Sequence, residues 1–178
     1  MQETERSIAG YPAGFSLLDG VALVSGAAVA SVHIRAVVPA ELSGFGIVAI
    51  WGTFSWIALS AAGPFIFIVR RYVRRAPEYP KVGDWLWALI GTPWLLSAVV
   101  RSAVGDARPE RNDAVGWGLF VGIAAVSFVA LGVVWNTWVV VPPEQAARTA
   151  SHPWTNRLGL FLAVAWPVQC GLGLVIIG

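Results

Sequence analysis

Five stretches of almost unbroken apolar sequence, each long enough to cross a bilayer as a helix, dominate this chain. They cover about residues 17–38, 44–69, 84–100, 114–141 and 158–178, with polar connections between them. About 20 helical residues span a hydrocarbon core about 30 Å thick. A segment in lipid must satisfy its own backbone hydrogen bonds, so only helices and closed barrels cross. Runs of this length, without ten-residue alternation, exclude the barrel. The expected fold is an all-α, polytopic helical membrane protein with about five transmembrane helices, or four if the first does not span. Charge agrees: 12% of residues are charged, against about 25% in a typical soluble domain. Residues 1–16 read as a polar N-terminal tail and 17–178 as a single transmembrane bundle.

The first run is the most polar, since Asp19, His33 and Arg35 fall within it. It also carries Ala22, Gly26 and Ala30 at four-residue spacing, and small residues so placed let a second helix approach closely. Only Pro39 to Ser43 separate it from the second run, which predicts an antiparallel hairpin. Gly118 and Gly122 offer a similar packing face in the fourth run. Asp19, Ser43, Asp84, Asp113, and Thr155 or Asn156 stand at or just before the helix starts, where their side chains can accept bonds from unpaired first-turn amides.

The loop after the second run holds five of the twelve cationic residues: Arg70, Arg71, Arg74, Arg75 and Lys81. These are the topology-determining residues. With that loop in the cytoplasm, the inner side also holds Arg6, Arg148 and Arg157, while the outer side holds Arg35, Arg101, Arg108 and Arg111. The positive-inside rule then puts the N-terminus inside and the C-terminus outside. Eleven arginines against one lysine, with abundant Ala, Val and Gly, point to a GC-rich bacterial genome and so to the bacterial inner (plasma) membrane. Ala28-Val29-Ala30 resembles a signal-peptide cleavage site, but Glu3, Glu5 and Asp19 against a lone Arg6 are the wrong charges before it, so cleavage is not expected. The net charge of +2 is small and sits at helix ends, so no nucleic-acid partner is expected.

Charge within a bilayer is costly and therefore usually functional. Asp19 and Asp84 are accounted for by capping, which leaves no acid at membrane depth and weighs against a carboxylate-driven ion carrier. His33 and Arg35 lie roughly 21 and 24 Å along the helix from Asp19. The plainer reading has Arg35 snorkelling outward with His33 at the interface; the sharper one makes them a ligand-binding pair facing the bundle. Trp56, Trp94 and Trp166 fall near the midplane, two of them beside Pro93 and Pro167. A buried indole N–H wants an acceptor, and a helical proline frees a carbonyl. With Ser55, Thr92 and Gln169, these three predict a central polar-aromatic pocket; the alternative is ordinary helix packing.

No nucleophile elbow, phosphate loop or paired carboxylate occurs, so no catalytic residue is assigned. One cysteine, Cys170, and two distant histidines, His33 and His152, cannot build a zinc site, and no metal or other cofactor is expected. These features fit a non-enzymatic accessory or structural subunit of a membrane assembly. Its partners would be the lipid bilayer and neighbouring proteins, or further copies of itself. The alternatives are a small carrier or channel using the proline-kinked third and fifth helices, and a redox or quinone-site subunit using His33.

Overall fold

In a computed structural model of the chain, the described residues are 14–35, 44–74, 80–104, 109–136 and 154–177, and no strand occurs among them. They form five α-helices: α1 Leu17–Arg35, α2 Gly44–Ile68, α3 Val82–Val104, α4 Pro109–Trp135 and α5 Trp154–Ile177. Four of these contain segments long and apolar enough to cross a membrane: Leu17–Arg35, Gly46–Val73, Val82–Ala103 and Gly116–Trp135. The polar first run is thus one of the four.

The helix starts follow from local chemistry. The Ser16 N–H donates to Asp19 Oδ2 at 2.9 Å, and the Asp19 N–H donates to Ser16 Oγ at 3.3 Å. This is a reciprocal capping box, with Asp in the place usually taken by Glu. At α3 the Lys81 N–H donates to Asp84 Oδ2 at 2.9 Å. Both acids therefore cap from the third helical residue, reaching back, rather than standing before the helix. The neighbouring Gly83 N–H is capped from another helix, by Asn156 Oδ1 at 2.8 Å. α4 begins at Pro109, five residues before the apolar run, because proline's fixed φ and missing N–H suit a first turn. α3 is longer than its apolar run at both ends, and α5 starts at Trp154 rather than 158. The expected end of the fourth run at 141, the N-terminal tail before residue 14, and Ser43 and Pro142-Pro143 lie outside the described residues.

α2 ends in a wider turn. Val69–Val73 is π-helical, and the Arg74 N–H donates to the Val69 carbonyl at 2.9 Å. Such turns are rare and occur often at functional positions.

α2 and α3 form the centre, with α1 packed on α2, α5 on α3, and α4 against α3 and α5. α1 and α2 run antiparallel at very short range. Ala22 and Ala30 are buried, and a Cβ on Gly26 would collide with the Ala58 carbonyl and with Ala62. A second crossing joins Gly83 of α3 to Gly159 of α5, where a Cβ on Gly159 would strike the Gly83 carbonyl. Between these crossings lies the core: Ala62 and Ile66 of α2, Leu86, Trp87 and Ile90 of α3, and Leu162 and Ala163 of α5. Trp87 is 1% exposed, and its indole N–H donates to the Leu59 carbonyl at 2.7 Å.

Candidate functional site

Two polar constellations stand out from this apolar background. The first lies at the end of the bundle where α1 and α3 begin. The π-helical turn carries Arg70, which is turned inward. Its Nε donates to Asp19 Oδ1 at 3.1 Å and its Nη2 to Asp19 Oδ2 at 2.9 Å. Its guanidinium carbon lies 5.2 Å from the centre of the Trp154 ring. Arg74 Nη1 approaches the same carboxylate at 3.8 Å. The Asp19 side chain is fully buried and that of Arg70 is 8% exposed. Asp84 is also buried, with the Thr155 hydroxyl of α5 beside its carboxylate. One cluster thus ties α1, the end of α2, α3 and α5 together.

Sequence reasoning gave Asp19 a cap and Arg70 a topological role, and missed the bond between them. The available clue was their place at one end of the same antiparallel hairpin. Arg71, next in sequence, is exposed instead. Lys81 supplies the backbone N–H that Asp84 caps. Arg75 lies outside the described residues.

The second constellation is an aromatic column further along the bundle. Trp56 of α2 stacks on Trp166 of α5, with ring centroids 5.9 Å apart and planes 16° apart. Trp94 of α3 meets Trp166 edge-on at 5.9 Å and His33 of α1 edge-on at 5.1 Å. His33 is 6% exposed, and its Nε2 is 3.1 Å from the Trp94 carbonyl oxygen, to which it donates. Four helices therefore meet through three indoles and one imidazole.

The column differs in detail from the pocket expected of these residues. The indole nitrogens of Trp56 and Trp94 are buried with no acceptor among the described residues. A carbonyl freed by proline belongs to the residue four positions back. For Pro93 that is Leu89, which lines the flank of α3 facing α4, away from Trp94. Thr92 is exposed and donates to the Ala88 carbonyl at 2.8 Å, and Ser55 is also exposed. Arg35 is exposed at the end of α1. The side chain of Gln169 lies outside the described residues.

Of the small-residue positions, Ala22, Gly26 and Ala30 lie in the α1–α2 contact described above. Gly118 has nothing within 4 Å of where a Cβ would stand, and at Gly122 the nearest atom is Pro93 Cβ at 3.6 Å. No group of three His, Cys, Asp or Glu side chains able to hold a metal occurs among the described residues.

Chemically, the end cluster holds its charges in fixed pairs and caps, while the column presents aromatic faces and N–H donors. Comparison with protein-family models, with curated proteins and with solved structures finds no match to this chain.

Proposed function

We propose that this chain is a non-enzymatic accessory or structural subunit that works beside other membrane helices in the bacterial inner membrane. The supporting observation is an exposed stripe of α4, whose small residues Gly118 and Ala125 border the groove between α3 and α4. Gly118, Ala125 and Gly132 are exposed at seven-residue spacing, and Val121, Phe128 and Trp135 repeat the same spacing three residues on. At Gly118 and Gly132 a Cβ would meet nothing within 4 Å. Small and large residues alternating at three- and four-residue steps form the seam along which a second helix packs its knobs into holes. Only 11% of the spanning window of α4 is buried, against 44% for that of α2, so this helix has most of its surface left for a neighbour. The arginine distribution supports an N-terminus in the cytoplasm and a C-terminus outside, with α5 as the fifth span.

The test is purification of the tagged chain from its native membrane in mild detergent, followed by mass spectrometry. A second membrane protein or a second copy should co-purify in stoichiometric amount, and Gly132→Leu should release it. A wild-type chain that emerges alone overturns the reading.

A second reading, a small carrier or channel, draws support from the His33–Trp94–Trp166–Trp56 column and from Pro93 and Pro167 within the helices that bear it. Solute flux into proteoliposomes that is unchanged by Trp94→Phe and Trp166→Phe would remove it. The redox or quinone version rests on His33, whose Nε2 is engaged by the Trp94 carbonyl. A visible spectrum of the purified protein tests its haem form.

A further inference from the structure

Two carboxyl groups are buried at the end of the bundle where α1, α3 and α5 begin, Asp19 at 0% and Asp84 at 1% exposure. A carboxylate taken out of water keeps a cation beside it or gives up its charge. Asp19 keeps its cations. Arg70 holds both of its oxygens, and Arg74 Nη1 stands 3.8 Å from one of them. Asp84 makes no ion pair among the described residues. Its direct partners are neutral: the Lys81 N–H, 2.9 Å from Oδ2, and the Thr155 hydroxyl.

Each element around Asp84 can be taken in turn. Arg70 and Lys81 are the cations close enough to act on it. Arg70 spends its Nε and Nη2 on Asp19 and lays its guanidinium over the Trp154 ring. Lys81 lies on the same chain segment and gives Asp84 its backbone N–H. α1 brings Asp19, a like charge. α5 brings the buried Thr155 and Asn156, and its Arg157 is exposed. α4 carries no titratable side chain from Ala114 to Asn136. A neutral carboxyl suits these surroundings. Its carbonyl oxygen still accepts the Lys81 N–H, so the cap of α3 is kept, and its O–H has the Thr155 oxygen to donate to. Two acids beside one guanidinium also do not ionise with equal ease, and Arg70 sits on Asp19.

We propose that Asp84 is a proton-binding site: it stands as the neutral acid, with its O–H donated to Thr155, and on losing this proton it competes with Asp19 for Arg70. The attachment of α1 through Arg70 is then sensitive to one proton held between α3 and α5. The site is independent of the subunit role proposed above, since a chain that emerges without protein partners still carries it.

The test is infrared spectroscopy of the full chain at pH 7 in a neutral detergent that has no carbonyl group. A protonated carboxylic acid gives a carbonyl stretch above the amide I band, where an ionised carboxylate is silent. The wild type should show this band and lose it in a one-proton step as the pH is raised. Asp84→Asn should remove the band, and Arg71→Gln, at an exposed position, should leave it unchanged. In Asp19→Asn the band should weaken, because Arg70 is released to Asp84 and favours its ionised form. Thermal unfolding at pH 7 reads the same site without a spectrum. Asp84→Asn keeps the shape and the acceptor oxygen of a neutral acid, so it should melt no lower than the wild type, whereas Asp19→Asn should melt lower. The absence of an acid band at pH 7, a band that survives Asp84→Asn, or an Asp84→Asn chain that melts well below the wild type overturns the proposal. A band unchanged in Asp19→Asn overturns the competition for Arg70.

Discussion

Arg70 and Asp19 stand 51 residues apart in sequence and share two hydrogen bonds, at 3.1 and 2.9 Å, inside the bundle. The π-helical turn puts the guanidinium there, and the capping box of α1 holds the carboxylate to receive it. The same carboxylate oxygen that caps Ser16 also takes the Arg70 Nη2. Helix initiation and interhelical attachment therefore depend on one side chain.

Breaking a buried pair from one side strands the other charge, at a cost of about 3–5 kcal/mol. Arg70→Gln should lower unfolding stability in detergent by that amount. Asp19→Asn should cost a similar amount, and the double variant less than the sum of the two. Arg71→Gln, at an exposed position, should stay within about 1 kcal/mol. Additive losses in the double-variant cycle would show that the two groups act separately.

The α1–α2 contact leaves no room at Gly26. Gly26→Ala puts a methyl against the Ala58 carbonyl and the Ala62 side chain, and overpacking of this kind costs about 1–3 kcal/mol. Gly118→Ala, which meets open space, should lie within about 0.5 kcal/mol of the wild type. Thermal unfolding of both variants in one detergent gives the comparison, and equal melting temperatures would refute the close approach.

Trp166 is the shared member of the aromatic column, 5% exposed and touching both Trp56 and Trp94. Trp166→Ala should cost about 3–5 kcal/mol through the cavity it leaves. It should also reduce the near-ultraviolet circular dichroism by more than one indole's share, because the remaining rings lose their fixed neighbour. Trp51→Ala, at a site 64% exposed, should do neither. A near-ultraviolet spectrum that merely loses one indole's worth of signal would argue against a coupled column.

The orientation can be read by chemistry. In a Cys170→Ser background, a cysteine at Arg71 should react with a membrane-impermeant maleimide only after the membrane is opened. A cysteine at Arg35, near the other end of the bundle, should react in intact cells. Labelling in the reverse pattern would invert the topology.

Most of the architecture is legible in the sequence, because run length against bilayer thickness needs no tertiary information. Depth is legible too. Counting from helix ends places Trp56, Trp94 and Trp166 at one level, and at one level their rings touch. Azimuth is harder. Ser97 and Trp94 are three residues apart, yet Ser97 lines the α3–α4 groove while Trp94 turns to α1 and α5. Which flank of a helix meets which neighbour is set by the packing of all five. Arg70 was hidden for a different reason. Four arginines within six positions look equivalent as topology signals, and only the local backbone separates the buried Arg70 from the exposed Arg71.

That backbone is the five-residue turn Val69–Val73. A wide turn of this kind absorbs one residue more than an α-helical turn, so it offsets the angular phase of everything beyond it by about 100°. Deleting Val69, which precedes Arg70 in that turn, would swing the Arg70 side chain by about 100° away from Asp19, although every charge in the loop would remain. The turn acts as a frame setting for the arginine tetrad, so a deletion that is silent in any count of positive charges would break the tie between the first two helices.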